Sequence, residues 1–272
     1  MKNNIKIFKR NSIKRELLLV FVFYNNNHNE IKDLSLSLKN LSPKIGYALA
    51  INGQYHEVLY RKIFDNADLV INNPDNPGYG KAINLVFKNL DYEPKYIGAQ
   101  NIDIYWECNT FERMIKYMND NPNIHLSTPL IYDQTGSITK LCKNNPSIIS
   151  LLSRRFIPNY LKISFLKNID NKFINTQSDY KTIFKAEYLS GCCMVIRCSI
   201  FKKIGGFDER FFLHFEDADI SRTISKYGDC IHFPHSQIIH KWERANKHSF
   251  KITIIALISA FKYFRKWGVK LY

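Results

Sequence analysis

The sequence predicts an α/β protein built on a Rossmann-like, doubly wound, mostly parallel sheet flanked by helices. Short, continuously apolar runs recur between helical patterns, and each run ends in Asn, Asn-Gly or a similar turn signal. Size agrees: 272 residues, 45% hydrophobic with 19 Phe and 16 Tyr, suffice for one substantial core.

Residues 17–24 (LLLVFVFY) are apolar, β-branched and aromatic throughout and end at Asn25, which fits a strand buried on both faces. Residues 31–41 then repeat apolar side chains at helical spacing, so strand, polar loop and helix open a βα unit. Residues 45–51 form a second strand ending in Asn52-Gly53. Residues 68–72 form a third, followed by the turn-rich Asn73-Pro-Asp-Asn-Pro-Gly-Tyr-Gly80 and a helical pattern over 81–90. A fourth strand, 95–100, runs into Asn101-Ile-Asp103. Ligands of such sheets bind beyond the carboxyl ends of the strands, so these polar ends should share one edge and line one crevice. Residues 144–187 loosen into basic, Asn-rich and aromatic sequence, read as a variable insertion or lid. Residues 188–197 restore a strand, and 200–204 a short helix before Gly205-Gly206.

Lys and Arg number 39 against 24 Asp and Glu, a formal charge of +15, which suits an anionic partner such as a phosphorylated small molecule or an acidic membrane surface. The basic residues are scattered and no zinc-finger or RNP-type signature is present, so no nucleic-acid partner is expected. None of the six cysteines has C-x-x-C spacing, and Cys192-Cys193 sits in an apolar run, so reduced core thiols are expected. Residues 1–15 are basic and polar, and no run reaches the roughly 18 apolar residues of a membrane span, so a cytoplasmic protein is expected.

Three stretches offer chemistry. Residues 211–222 (FFLHFEDADISR) gather Glu216, Asp217 and Asp219 directly after an aromatic run. Like charges beside apolar groups repel and lose solvation, which fits a catalytic base; acidic residues also dress helix starts, and a helix from Ala218 to Lys226 fits the pattern. Gly78 and Gly80 permit a tight turn or a close backbone approach to a ligand, with Lys81 at the next helix start facing an anion, though the glycine spacing is neither a P-loop nor a dinucleotide fingerprint. Asn101 and Asp103, two apart on an extended chain, share a face and suit Mg²⁺ or Mn²⁺ holding nucleotide phosphates, while a lone strand-end Asp is ordinarily a turn or cap residue.

In this order, and with Ser190-Gly-Cys-Cys-Met, Gly205-Gly-Phe-Asp-Glu and Phe215-Glu-Asp-Ala-Asp following, the elements resemble the family 2 glycosyltransferases of the GT-A fold. Within them they resemble the rhamnosyltransferase-like enzymes of O-antigen, capsule and cell-wall polysaccharide assembly. The resemblance runs from about Leu17 to Gly268 and is most specific from Leu189 to His240. It implies a single catalytic domain over 1–272. About 16–103 would be the nucleotide-sugar half and about 104–248 the acceptor half, with the insertion at 144–187 and a C-terminal amphipathic helix at 249–272. It implies base and ribose contacts from Tyr24, Asn25 and Asn52, with Gly80, Lys81 and Asn84 nearby. The Asp-x-Asp motif that binds a divalent cation and the diphosphate reads Asn101-Ile-Asp103 here, its first Asp replaced, and His240 matches a histidine that often completes the metal site. Asp217 becomes the general base, with Glu216, Asp219 and Arg222 supporting it, Arg222 neutralising part of the acidic cluster.

The activity so implied is inverting, metal-dependent transfer of a sugar, foremost L-rhamnose from dTDP-rhamnose, to a glycan or polyprenyl-diphosphate-linked saccharide. The alternatives are a UDP-hexose or UDP-N-acetylhexosamine donor, or a non-catalytic basic glycan-binding module. Phe250, Ile254, Leu257, Phe261 and Phe264 fall at helical spacing with Lys262, Arg265, Lys266 and Lys270 gathered at the end. That helix either packs on the domain or lies peripherally on anionic lipid at the inner face of the cytoplasmic membrane.

Overall fold

The computed structural model describes residues 5–10, 13–54, 57–241 and 250–272. Ser249, the expected start of the last helix, lies outside the described residues. In chain order the strands are β1 (Lys6–Arg10), β2 (Leu17–Tyr24), β3 (Ile45–Asn52), β4 (Leu69–Asn73), β5 (Tyr96–Gln100), β6 (Ile104–Trp106), β7 (Ile124–Tyr132), β8 (Phe184–Lys185), β9 (Cys193–Arg197) and β10 (Asp229–His240). The helices are α1 (His28–Ser37), α2 (Glu57–Phe64), α3 (Tyr79–Lys88), α4 (Thr110–Asp120), α5 (Ile148–Phe156), α6 (Ser164–Phe173), α7 (Cys198–Lys203), α8 (Glu216–Ile224) and α9 (Phe250–Trp267). All ten strands join one sheet, ordered β1-β4-β3-β2-β5-β9-β7-β10-β6, with β8 paired to β10.

The core of that sheet, β4-β3-β2-β5, is parallel. Its strands are apolar throughout because both faces are covered: Leu17, Leu19, Phe21 and Phe23 enter one buried cluster, Leu18 and Val20 the other. Register brings the strand ends into one row, Tyr24 opposite Asn52 and Asn52 opposite Asn73. Beyond β5 the directions mix: β9 runs antiparallel to β5 and β7, β10 parallel to β7, and β6 and β8 antiparallel to β10.

Two features were not anticipated. β1 forms within the basic N-terminal stretch, antiparallel to β4. An edge strand needs only backbone pairing, and Ile7 and Phe8 stay exposed, so its sequence carries little burial pattern. The 144–187 insertion is also ordered, as α5, α6 and β8, and its Phe173 joins Tyr188, Phe211, Ala218 and Tyr263 in a third apolar cluster.

Helix α9 packs on the domain through one face only. Ser259 and Tyr263 are buried, Ser259 donates to the Leu213 carbonyl, and Tyr263 donates to Asn145 Oδ1. Among the described residues no helix is long and apolar enough to cross a membrane. All six cysteines are free and only Cys108 is exposed.

Candidate active site

Helix α8 opens on the acidic cluster, and the first two of its carboxylates, Glu216 and Asp217, line a cavity. His214 and Phe215, just before it, sit in the left-handed region at φ 69° and 67°, a costly conformation for bulky residues that tends to persist where surrounding packing enforces it. Here Phe215 packs on the Tyr263 ring, centroids 5.6 Å apart.

The three carboxylates have separate surroundings. Asp217 Oδ2 accepts from the Tyr188 hydroxyl and from the Gly191 N–H, both at 3.1 Å, and Oδ1 accepts from the Ala218 N–H at 2.9 Å. Gly191 permits this closeness, since a Cβ there would lie 3.2 Å from that of Asp217. Glu216 is 7% exposed and its Oε2 has no hydrogen-bond partner. Burial first, and then the neighbouring Asp217, push its carboxyl up to about 8.

Asp219 belongs elsewhere. Only 2% exposed, it accepts from Lys266 Nζ at 2.8 Å and Trp267 Nε1 at 2.7 Å, and burial outweighs these partners to raise its carboxyl. It anchors α9 rather than facing the cavity. Arg222 does not neutralise the cluster as expected: its guanidinium donates to the Tyr263 hydroxyl at 3.2 Å and lies 4.6 Å from the Trp267 ring centroid. Lys266 takes that role for Asp219, a pairing across 47 residues that no local spacing signals.

The opposite wall comes from the ends of β5 and β10. His240 Nε2 lies 3.2 Å from Asp103 Oδ1 and 3.4 Å from Asn101 Nδ2. Residues 101–103 form a turn rather than the extended segment expected, yet both polar side chains still meet the imidazole. Lys241 fixes the corner, its N–H donating to the Asp103 carbonyl and its ammonium to Asp33. Burial disfavours the charged ring of His240, but hydrogen bonds to Asp103 and Cys192 outweigh it and push the imidazole up to about 10.

Both walls line one cavity of about 270 Å³, which includes Asn101, His240, Glu216 and Asp217. Tyr79, Lys143, Tyr188, Cys192 and His214 also line it and were not singled out from sequence. Tyr188 and Cys192 flank the Ser-Gly step that precedes the acidic cluster, which is a usable signal. Lys143, stacked 4.7 Å from the Tyr188 ring centroid, sits in unpatterned Lys-Asn-Asn sequence and has none.

On the donor side, Tyr24, Asn25 and Asn52 lie at the expected edge. Tyr24 is exposed, Asn25 turns the chain at φ 52°, and Asn52 accepts from Asn73 Nδ2 at 3.0 Å. The α3 residues do other work. A Cβ on Gly80 would lie 2.7 Å from that of Phe207, so its glycine serves helix packing. Lys81 pairs with Glu209 at 3.6 Å rather than facing an open anion site. The Asn84 amide is taken up by the Phe207 loop, donating to its carbonyl at 2.8 Å and accepting its N–H at 2.9 Å, which corrects the ligand role expected of it.

Among the described residues no group of three or more His, Cys, Asp and Glu side chains forms a metal site. Asp103 and His240 do bring one oxygen and one nitrogen together, bonded to each other at 3.2 Å, with the Asn101 amide beside them. That partial donor set fits a divalent cation that takes its remaining ligands from substrate phosphates and water.

A mixed sheet with its cavity beyond the strand ends, carboxylates on one wall and an Asp–His pair on the other, is a GT-A glycosyltransferase fold. Solved structures agree. The chain superposes on GalNAc-T7 with UDP, GalNAc and Mn²⁺ at TM-score 0.61 and 14% identity, covering 85% of this chain and 44% of that one. It superposes on the Pyrobaculum calidifontis mannosyltransferase PcManGT with GDP-Man and Mn²⁺ at TM-score 0.60 and 11% identity, covering 97% and 68%. By sequence it is similar to curated rhamnosyltransferases. It is 26% identical over 175 residues to the N-acetylglucosaminyl-diphospho-decaprenol L-rhamnosyltransferase of Mycobacterium tuberculosis, covering 61% of this chain and 56% of that protein. It is 26% identical over 191 residues to the Escherichia coli rhamnosyltransferase WbbL, covering 68% and 69%. The chain thus spans little more than half the length of the mycobacterial relative. No protein-family model matches it.

Proposed function

We propose that this protein is an inverting, metal-assisted glycosyltransferase that moves a sugar, foremost L-rhamnose from dTDP-rhamnose, to a polyprenyl-diphosphate-linked saccharide at the inner face of the cytoplasmic membrane. The observation that carries this reading is the shared cavity, with Asp217 on one wall and Asn101 and His240 on the other, Asp103 standing behind His240 as its partner. The relatives' names supply the donor sugar and the acceptor class.

Asp217 accepts the proton of an acceptor hydroxyl as that oxygen bonds to the anomeric carbon, and the bond from that carbon to the nucleotide diphosphate breaks with its electron pair leaving on the phosphate oxygen. Tyr188 and the Gly191 N–H hold the carboxylate in position. Glu216, buried beside it with its Oε2 unpaired and its carboxyl pushed up to about 8, favours the protonated form at neutral pH, and in this reading Asp217 is the base of the pair. A divalent cation held by Asp103, and by His240 once the cation displaces its proton, would offset charge on the departing diphosphate. Displacement from the face opposite the leaving group inverts the anomeric centre and needs a single carboxylate base.

The test is turnover with dTDP-, UDP- and GDP-sugars, with and without Mn²⁺, alongside thermal shift with each nucleotide. Replacing Asp217 with Asn should lower transfer by about 10³-fold or more and leave the nucleotide-induced shift intact. Full activity in that variant would remove Asp217 as the base. Nucleotide-sugar binding without turnover in the wild type would favour the non-catalytic reading, which the Asn at 101 supports.

A further inference from the structure

The α5–α6 hairpin reaches the core through Phe173, but the rest of what it buries is polar: Ser150, Ser153 and Asp170 are 1%, 1% and 7% exposed. Ser153 Oγ at 3.1 Å and Lys162 Nζ at 2.5 Å both donate to Asp170 Oδ2. Six of its large apolar side chains point outward, Leu152, Phe156, Tyr160, Leu161, Ile163 and Phe165 being between 46% and 84% exposed. A hairpin meant to face water has the reverse arrangement.

Helix α9 is tied to this hairpin at both ends. Arg155 reaches Thr253 near the start of α9, and the Lys270 and Leu271 carbonyls accept from the Ile148 and Ile149 N–H groups at the start of α5. With its Ser259 and Tyr263 side on the core, α9 shows Phe250, Leu257 and Phe261 to the outside. Residues 148–173 and 250–272 together hold fourteen of the twenty-three large apolar side chains exposed among the described residues. The same stretches carry ten basic residues and one acid, Asp170; Lys162 is buried against Asp170 and Lys266 turns inward to Asp208 and Asp219, which leaves eight to charge the outer side.

An apolar surface of this extent marks a docking site, and its charge selects the occupant. Pairing with the same face of a second copy would set like charges against each other. An anionic lipid surface meets both the charge and the apolar side chains, and with no helix able to cross a membrane among the described residues the contact lies in the plane of the headgroups. We propose that the outer face of the α5–α6 hairpin and α9 docks on an anionic lipid bilayer. The insertion is then a membrane-docking element rather than a lid. Its root is close to the cavity, because Lys143 lines that wall.

Removing α9 is not a usable test, since Lys266 and Trp267 hold Asp219 on the helix that carries Asp217. The full chain should instead be floated with vesicles of phosphatidylcholine alone and of phosphatidylcholine mixed with phosphatidylglycerol. The wild type is expected to bind the mixed vesicles, less so at high salt. The triple variant Phe156→Ser, Tyr160→Ser, Leu161→Ser should lose on the order of tenfold or more in partitioning, at an unchanged melting temperature. Lys167→Glu with Lys251→Glu should abolish the preference for the anionic vesicles. Three results would overturn the proposal: equal binding by the triple variant, no binding by the wild type, or a wild-type dimer in sedimentation velocity that the triple variant converts to monomer. Vesicle binding needs no turnover, so a chain that docks but transfers no sugar would sink the proposed function and leave the docking face standing.

Discussion

The two sides of the helical layer around α9 are opposites. Toward the core, polar groups are buried and bonded across distant elements: Lys266 and Trp267 to Asp219, Tyr263 to Asn145, Tyr188 to Asp217. Away from it, apolar groups stand in the open on α5, α6 and the far face of the same α9. One helix therefore serves the site from its inner face and leaves its outer face unpartnered. The difference teaches that apolar content alone does not say which face of an element is the core. Here the polar bonds mark the inside.

That comparison breaks most sharply at Tyr263. Its side chain is fully buried, packs on Phe215 and connects Arg222 to Asn145. Tyr263→Ala should cost about 3–5 kcal/mol in denaturant unfolding, in the range of large-to-small aromatic truncations in cores. A loss below about 1 kcal/mol would mean that α9 is only laid against the domain and that its two faces are alike.

Glu216 gives a smaller, pH-dependent effect on the same inner side. Its carboxyl is pushed from the ordinary 4.5 up to about 8 by burial and by Asp217, so the folded protein keeps a proton that the unfolded chain gives up. The stability tied to that proton is fully present below about 4.5 and is lost as pH rises through about 8. Glu216→Gln, which cannot ionise, should match the wild type on the acid side of this window. On the alkaline side it should exceed the wild type by roughly 1–3 kcal/mol. Denaturant midpoints on either side of the window check it, and a difference that does not grow with pH would mean that Glu216 is solvated.

The parallel half of the sheet was readable because its signals are local: β2 is apolar at every position from Leu17 to Phe23 and its polar end aligns with those of β3 and β4. The pair Glu216 and Asp217 was readable for the same reason, as charge set in an aromatic run. What sequence misassigned depends on partners far away in the chain. Asn84 reads as a ligand residue until Phe207, 123 positions on, occupies its amide, and Arg222 reads as neutralising part of the acidic cluster, where the structure pairs Asp219 with Lys266 and Arg222 with Tyr263. The insertion defeated the reading differently. Its apolar residues were visible, but burial of Ser150, Ser153 and Asp170 in place of Leu152 and Phe156 follows from the hairpin's tertiary setting and not from periodicity.

The smallest expected effect lies on the outer face. Leu161 is 61% exposed and sits between α5 and α6, where truncation removes little buried area and leaves no cavity. Leu161→Ser should therefore change the unfolding free energy by no more than about 0.5 kcal/mol, the range of surface substitutions away from caps and networks. The same change at a core position of β2, such as Leu19, removes a side chain with no exposed surface, adds a buried hydroxyl, and should cost several-fold more. If instead Leu161→Ser destabilises the protein by about 2 kcal/mol or more, that side chain is already covered in solution. The contrast between the inner and outer sides of the layer would then be one of partner rather than of exposure.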